Sequence, residues 1–231
     1  MRRYADPLAL LRFERKHLLD AFEASSLEAR LARTPGCVGE PAGRIVTLYL
    51  DRADMALCRR LLRGEGAGSR LRVRWYGDAV EPVVLERKHH RGGMVRKRRL
   101  LVAAPELPAL LAGRDPRARE VGIGRLVDTP RAVCVVAYDR HVYRDAGGSY
   151  RITIDRGLGA APARADWLER LAAGSLPEVR PADGAPVVVE CKHHGNPPRW
   201  IDAALASQPA QRFSKLAWAV LRLRESNRSL S

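Results

Sequence analysis

Residues 187–193 read VVVECKH: three valines, then Glu190, Lys192 and His193. The β-branched run predicts a strand. Side chains two apart on a strand share a face, so Glu190 and Lys192 point one way and His193 the other. The tetrapeptide E-x-K-H occurs twice more, at Glu14 to His17 and at Glu86 to His89, each time on a run that can be a strand. One such pair reads as a solvated ion pair. Three of them on otherwise apolar strands suggest a polar chamber lined by strands.

Outward from this stretch, the clearest alternation is at 70–76 (RLRVRWY). Arg70, Arg72, Arg74 and Tyr76 share one face, and Leu71, Val73 and Trp75 share the other. Further strands are predicted at 8–16, with Arg12, Glu14 and Lys16 on one face, and at 44–51. At 82–90, Glu86 and Lys88 alternate with Leu85 and Arg87, and at 95–102 Lys97 and Arg99 share a face. At 131–143 Tyr138 and Arg140 lie together, and at 150–156 Arg151, Thr153 and Asp155 oppose Ile152 and Ile154. Turn signals stand at Arg91-Gly92-Gly93 and Ala146-Gly147-Gly148. Helices are expected at 17–33, with Leu18, Leu19, Phe22, Leu27 and Leu31 as its stripe, and at 54–62. Short helical patterns follow within 105–128 and near Trp167, and two more at 199–207 and 210–226. Residues 36–43 read as a Gly/Pro loop.

The polar faces are dominated by Arg, Lys and Glu rather than the mixed polar set of a half-solvated sheet. The expected fold is therefore mainly β (α+β). It is an eight-stranded antiparallel β-barrel with a charged interior and helices packed outside, over residues 1–231 as one domain. Eight strands closed into a barrel hold one small ligand. Buried unpaired charge is costly, so such an interior calls for a polyanion, or for water and ions to fill it. An open sheet with a solvated charged face is the alternative.

Composition supports an anionic partner. Lys and Arg number 41 against 26 Asp and Glu, a net charge of +15, and 46% hydrophobic residues exclude a disordered chain. A chain of phosphates fits a barrel interior better than a helical nucleic acid does. The cysteines at 37, 58, 134 and 191 have no metal-ligand spacing, and Cys134 and Cys191 fall in apolar strand patterns as core fillers. No disulfide framework is expected and a reducing cytoplasm fits. Nothing approaches ~18 uninterrupted apolar residues, and charge comes too early for a signal peptide.

R-F-E-R-K-H at 12–17, T-L-Y-L-D at 47–51, R-L-R-V-R-W-Y-G at 70–77, L-E-R-K at 85–88, Y-D-R at 138–140, R-I-T-I-D at 151–155, V-E-C-K at 189–192 and S-K at 214–215 occur in order. Together they resemble the VTC (vacuolar transporter chaperone) domain. This is the polyphosphate polymerase branch of the CYTH/triphosphate tunnel metalloenzyme superfamily. The resemblance implies a tunnel that binds ATP, polyphosphate or tripolyphosphate with Mg²⁺ or Mn²⁺ and transfers a γ-phosphate. It implies Lys16, Arg72, Arg74, Lys88, Lys97, Arg140, Arg151 and Lys215 as catalytic phosphate ligands and Glu190 as the metal ligand. Arg12, Glu14, Glu86, Lys192 and Arg212 are implied substrate-binding neighbours, with Glu86 orienting lysines. Arg12 stands where the wider superfamily has the first acid of E-x-E-x-K, as in the VTC branch. His17 and His193, opposite the carboxylates, are expected to pack or hydrogen-bond. The protein is expected to act alone or with a separate membrane partner.

Three function classes follow. The first is a phosphotransferase or triphosphate hydrolase. The second is a non-catalytic polyphosphate sensor. The third is a nuclease of the PD-(D/E)xK type, with Asp183 upstream of V-V-V-E-C-K. That last reading predicts a mixed sheet and leaves the R-x-R strand unexplained.

Overall fold

The computed structural model describes residues 12–65, 68–77, 82–91, 94–123, 129–175, 177–194, 199–206 and 208–228. Its centre is an eight-stranded sheet in the order β1-β8-β7-β6-β2-β3-β4-β5. The strands are β1 (Arg12–Leu19), β2 (Cys37–Asp51), β3 (Gly68–Tyr76), β4 (Val83–Arg91), β5 (Met94–Val102), β6 (Arg131–Asp145), β7 (Tyr150–Pro162) and β8 (Val187–His194). The helices are α1 (Ala21–Arg33), α2 (Ala56–Leu62), α3 (Leu107–Leu111), α4 (Trp167–Ala172), α5 (Arg199–Ala204) and α6 (Lys215–Arg228). Every ladder whose register is described is antiparallel, unlike the mixed sheet of the nuclease reading.

Barrel closure is corrected: among the described residues no ladder joins β1 to β5, and the sheet stays open. The outer side of β1 is partly taken instead by 208–213. Gln211 donates its backbone N–H to the Lys16 carbonyl at 2.8 Å, and Lys16 Nζ donates to the Phe213 carbonyl at 3.3 Å. β5 carries Arg96, Lys97, Arg98 and Arg99 in succession, and such charge blunts a free edge.

The chain forms two compact units. One comprises residues 1–43, 139–158 and 183–213; the other comprises 44–138, 159–182 and 214–231. In the first, the apolar faces of β7 and β8 meet α1, with Ile152, Ile154, Val187, Val189 and Cys191 packed on Ala24, Leu27 and Leu31. Asp20 caps α1 through a reciprocal capping box with Glu23, ending β1 at Leu19. The helix expected at 17–33 therefore starts at Ala21. Leu18 and Leu19 belong to the strand, and Phe22 is 80% exposed rather than in the stripe.

In the second unit, Val46, Leu48, Leu50, Leu71, Val73, Trp75, Val83 and Leu85 form one apolar face, covered by α3, α4 and their flanking turns. Asp51 accepts from the backbone N–H groups of Leu57 at 3.1 Å and Cys58 at 2.7 Å, which fixes α2 to the end of β2. Two strands run longer than the sequence suggests. β2 begins at Cys37, inside the expected Gly/Pro loop, and β7 continues through Gly159 to Pro162. Gly159 is required there because a Cβ would stand 2.1 Å from the Arg180 carbonyl oxygen. The Arg91-Gly92-Gly93 turn includes residues outside those described.

Candidate functional site

The residues singled out from sequence fall into two clusters, one in each unit. In the second unit, antiparallel register sets β3, β4 and β5 side by side. Arg70, Lys88 and Lys97 form one row, and Arg72, Glu86 and Arg99 form the next. Arg74 continues the face along β3, opposite Thr47 of β2. Six cations thus surround one carboxylate on the face opposite the apolar core.

Glu86 is the knot of this face. Its side chain is 2% exposed. It accepts from Arg72, from Lys97 Nζ at 3.0 Å and from Arg99 Nε at 2.9 Å. Burial pushes its carboxyl up, but Arg72, Lys97, Arg74 and Arg99 outweigh burial and hold it well below the usual carboxylate range. Burial pushes the Lys97 ammonium down to about 8, with Glu86 opposing and Arg99 adding to the fall. Lys97 is therefore set to lose its proton near pH 8. Arg74 is buried; burial works against its charge, while Tyr138, Tyr76 and Glu86 raise its pKa and keep it protonated. It reaches Thr47 Oγ1 at 3.4 Å. Lys215, the first residue of α6, sits over the Tyr138 ring with Nζ 4.6 Å from the centroid.

In the first unit, two of the three E-x-K-H copies pair with each other. Glu14 stands opposite Lys192 and Lys16 opposite Glu190, so the antiparallel strands make a checkerboard of two acids and two lysines. Lys192 contacts Glu190, and its Nζ lies 3.9 Å from Glu14; Lys16 Nζ is 3.1 Å from Glu14. The next strand, β7, extends the rows with Arg151 opposite Lys192 and Thr153 opposite Glu190. Asp155, fully buried, takes Arg140 in a bidentate pair of 2.6 and 2.7 Å.

The third copy lies in the other unit, and Glu86 pairs across strands with Arg72, Lys97 and Arg99. His17 and His193 are buried on the face away from the carboxylates, as expected. His17 Nδ1 lies 2.7 Å from the Gln208 carbonyl, and His193 stacks on Phe13. Burial lowers the His17 pKa, with the Gln208 carbonyl opposing. Arg212 is exposed and lies before α6 rather than on its first turn. The Arg12 side chain is outside what is described, and its backbone pairs with His194. Sequence reasoning missed Arg99 as a partner of Glu86, although the shared face of Lys97 and Arg99 on β5 was visible.

All four cysteines are free, and burial raises the thiols of Cys134 and Cys191 to about 12, consistent with core packing. Among the described residues, no group of three or more His, Cys, Asp or Glu could hold a metal, and no helix is long and apolar enough to cross a membrane.

An eight-stranded antiparallel sheet with helices is the α+β, CYTH-like fold. The structure is similar to that of a Hippeastrum protein assigned as an adenylyl cyclase with a dominant triphosphatase activity. The TM-score is 0.53 at 18% identity, over 90% of this chain and 94% of that one. It is also similar to a Bacillus halodurans protein assigned as an adenylate cyclase, with TM-score 0.52 at 13% identity, over 88% and 95%. Both likenesses are of fold. The VTC domain model matches residues 8–223, and the chain belongs to the VTC domain family. No curated protein sequence matches it.

Proposed function

We propose that the protein is a polyphosphate polymerase-type phosphotransferase, which binds ATP and polyphosphate and transfers the γ-phosphate onto a phosphate chain with Mg²⁺ or Mn²⁺. The observation that carries this reading is the charged face of β3–β5, in a chain of the VTC family. Its rows of arginine and lysine hold one sealed carboxylate, an arrangement short of negative charge that phosphate oxygens would supply. Phosphoryl transfer asks the protein mainly for charge neutralisation and in-line positioning.

Arg72, Arg74, Lys88, Lys97 and Lys215 are the proposed phosphate ligands of the second unit, and Lys16, Arg151 and Lys192 those of the first. In the first unit, phosphate would take the lysines from their carboxylates. Arg140 has its Nε and Nη2 turned onto Asp155, so its proposed part is to fix β6 against β7 and add charge.

The carboxylates that fit a hard divalent ion are Glu190 and Glu14. They lie on one face of adjacent strands with side chains 11% and 30% exposed, and both touch lysines that a phosphate can draw away. Glu86 does not fit, since three cations already hold it. Two carboxylates are enough where phosphate oxygens and water complete the shell. A bound metal would neutralise charge on the non-bridging phosphate oxygens.

Hydrolysis of the same substrates, with water rather than a phosphate chain as nucleophile, is the second reading. The fold shared with a protein of dominant triphosphatase activity favours it. Incubating purified protein with Mn²⁺ and γ-labelled ATP separates the outcomes. Chain growth supports the polymerase, free phosphate the hydrolase, and neither, with binding retained, a sensor.

A further inference from the structure

Thr153 lies on β7 directly opposite Glu190 on β8, on the face that also carries Arg151 and Asp155. It is 2% exposed, and its Oγ1 has no hydrogen-bond partner among the described residues. The surrounding polar side chains are engaged: Glu190 with Lys192, Glu14 with Lys16, and Asp155 with Arg140. An unsatisfied buried hydroxyl is destabilising, and valine would fill the same volume on a strand without that cost. Directly opposed Cβ atoms in an antiparallel pair are ~4.5–5.5 Å apart, so side-chain rotation alone brings a threonine hydroxyl to a glutamate carboxylate. In the structure, Lys192 engages that carboxylate instead.

The geometry points to Thr153 as a positioning residue for Glu190. When a phosphate draws Lys192 away, the Thr153 hydroxyl donates to the Glu190 carboxylate and holds it in place for the divalent cation. This inference rests on the polyphosphate reading above. The protein is otherwise asked to keep an unpaired hydroxyl beside the proposed metal carboxylate for no return.

The test uses Thr153→Val and Thr153→Ser, each alone and with Glu190→Ala. Tripolyphosphate binding is measured by calorimetry with and without Mn²⁺, alongside ligand-free thermal melting. Thr153→Val should melt at the same temperature or higher, yet bind tripolyphosphate with Mn²⁺ about tenfold more weakly, the scale of one hydrogen bond to a charged group. Thr153→Ser should bind like the parent, and Thr153→Val should add nothing once Glu190 is gone. Unchanged binding in Thr153→Val, or the same loss in the Glu190→Ala background, overturns the inference while leaving the functional reading intact. Failure of the parent protein to bind tripolyphosphate overturns both.

Discussion

Replacing Glu86 by glutamine removes the charge that three cations share while keeping the shape of the side chain. Glu86 is 2% exposed, and its partners Arg72, Lys97 and Arg99 are 17%, 35% and 35% exposed. Breaking a fully buried pair from one side costs ~3–5 kcal/mol. The partial exposure of all three cations discounts this to about 2–3 kcal/mol here. For a chain of this size, that is a fall of about 5–10 °C in Tm.

The sign with pH follows from the depressed carboxyl. Its contribution is fully present above the unfolded glutamate value of about 4.3 and is lost as pH falls through the lower folded value, so the whole difference is expressed at pH 7. Lys97 acts in the other direction. Its folded pKa of about 8 lies below the unfolded one, so its charge disfavours folding at neutral pH and that penalty lifts as pH rises through 8 toward 10. Urea denaturation of parent and variant at pH 7, with and without tripolyphosphate, is the assay. The polyanion should stabilise Glu86→Gln more than the parent, because it restores the missing negative charge to the same cations. Equal stability without ligand, or equal stabilisation by it, refutes the picture of a charge-starved face.

Arg72→Ala and Arg74→Ala should each weaken tripolyphosphate binding, by less at high salt than at low, in a titration across ionic strength. If neither changes affinity, the R-x-R strand does not meet the ligand. Anion affinity of the parent should fall as pH rises through about 8, where Lys97 loses its proton, and Lys97→Arg should flatten that profile to pH 9. Gly159→Ala should destabilise by about 2–3 kcal/mol through its clash with the Arg180 carbonyl, whereas Gly43→Ala, with open space around it, should be near neutral in the same melts.

The faces of this fold were legible in the sequence because strand periodicity is local. RLRVRWY places Arg72 and Arg74 opposite Val73 whichever strand lies beside it, and the structure keeps that division. Pairing was not legible, because it depends on register between segments far apart in sequence. The three E-x-K-H copies looked equivalent. Register joins the first and last into one checkerboard, whereas it gives Glu86 to Arg72, Lys97 and Arg99. Closure was over-read for the same reason: alternation says which side is charged and nothing about how the end strands meet. The GEPAG segment of β2 and the Gly159 stretch of β7 were hidden by glycine and proline, which signal turns locally but also permit a strand against a close neighbour. The start of α1 could have been found, since Asp20 and Glu23 spell its capping box.

The most direct measurement compares Glu190→Ala with the parent in Mn²⁺-dependent turnover of γ-labelled ATP and in tripolyphosphate binding without metal. The parent should move label from ATP into polyphosphate, or into free phosphate under the hydrolytic reading. The variant should lose that turnover by at least about a hundredfold while its metal-free affinity stays within a few-fold. Turnover that survives in Glu190→Ala, or a parent protein that never acts on ATP with Mn²⁺, would contradict the account.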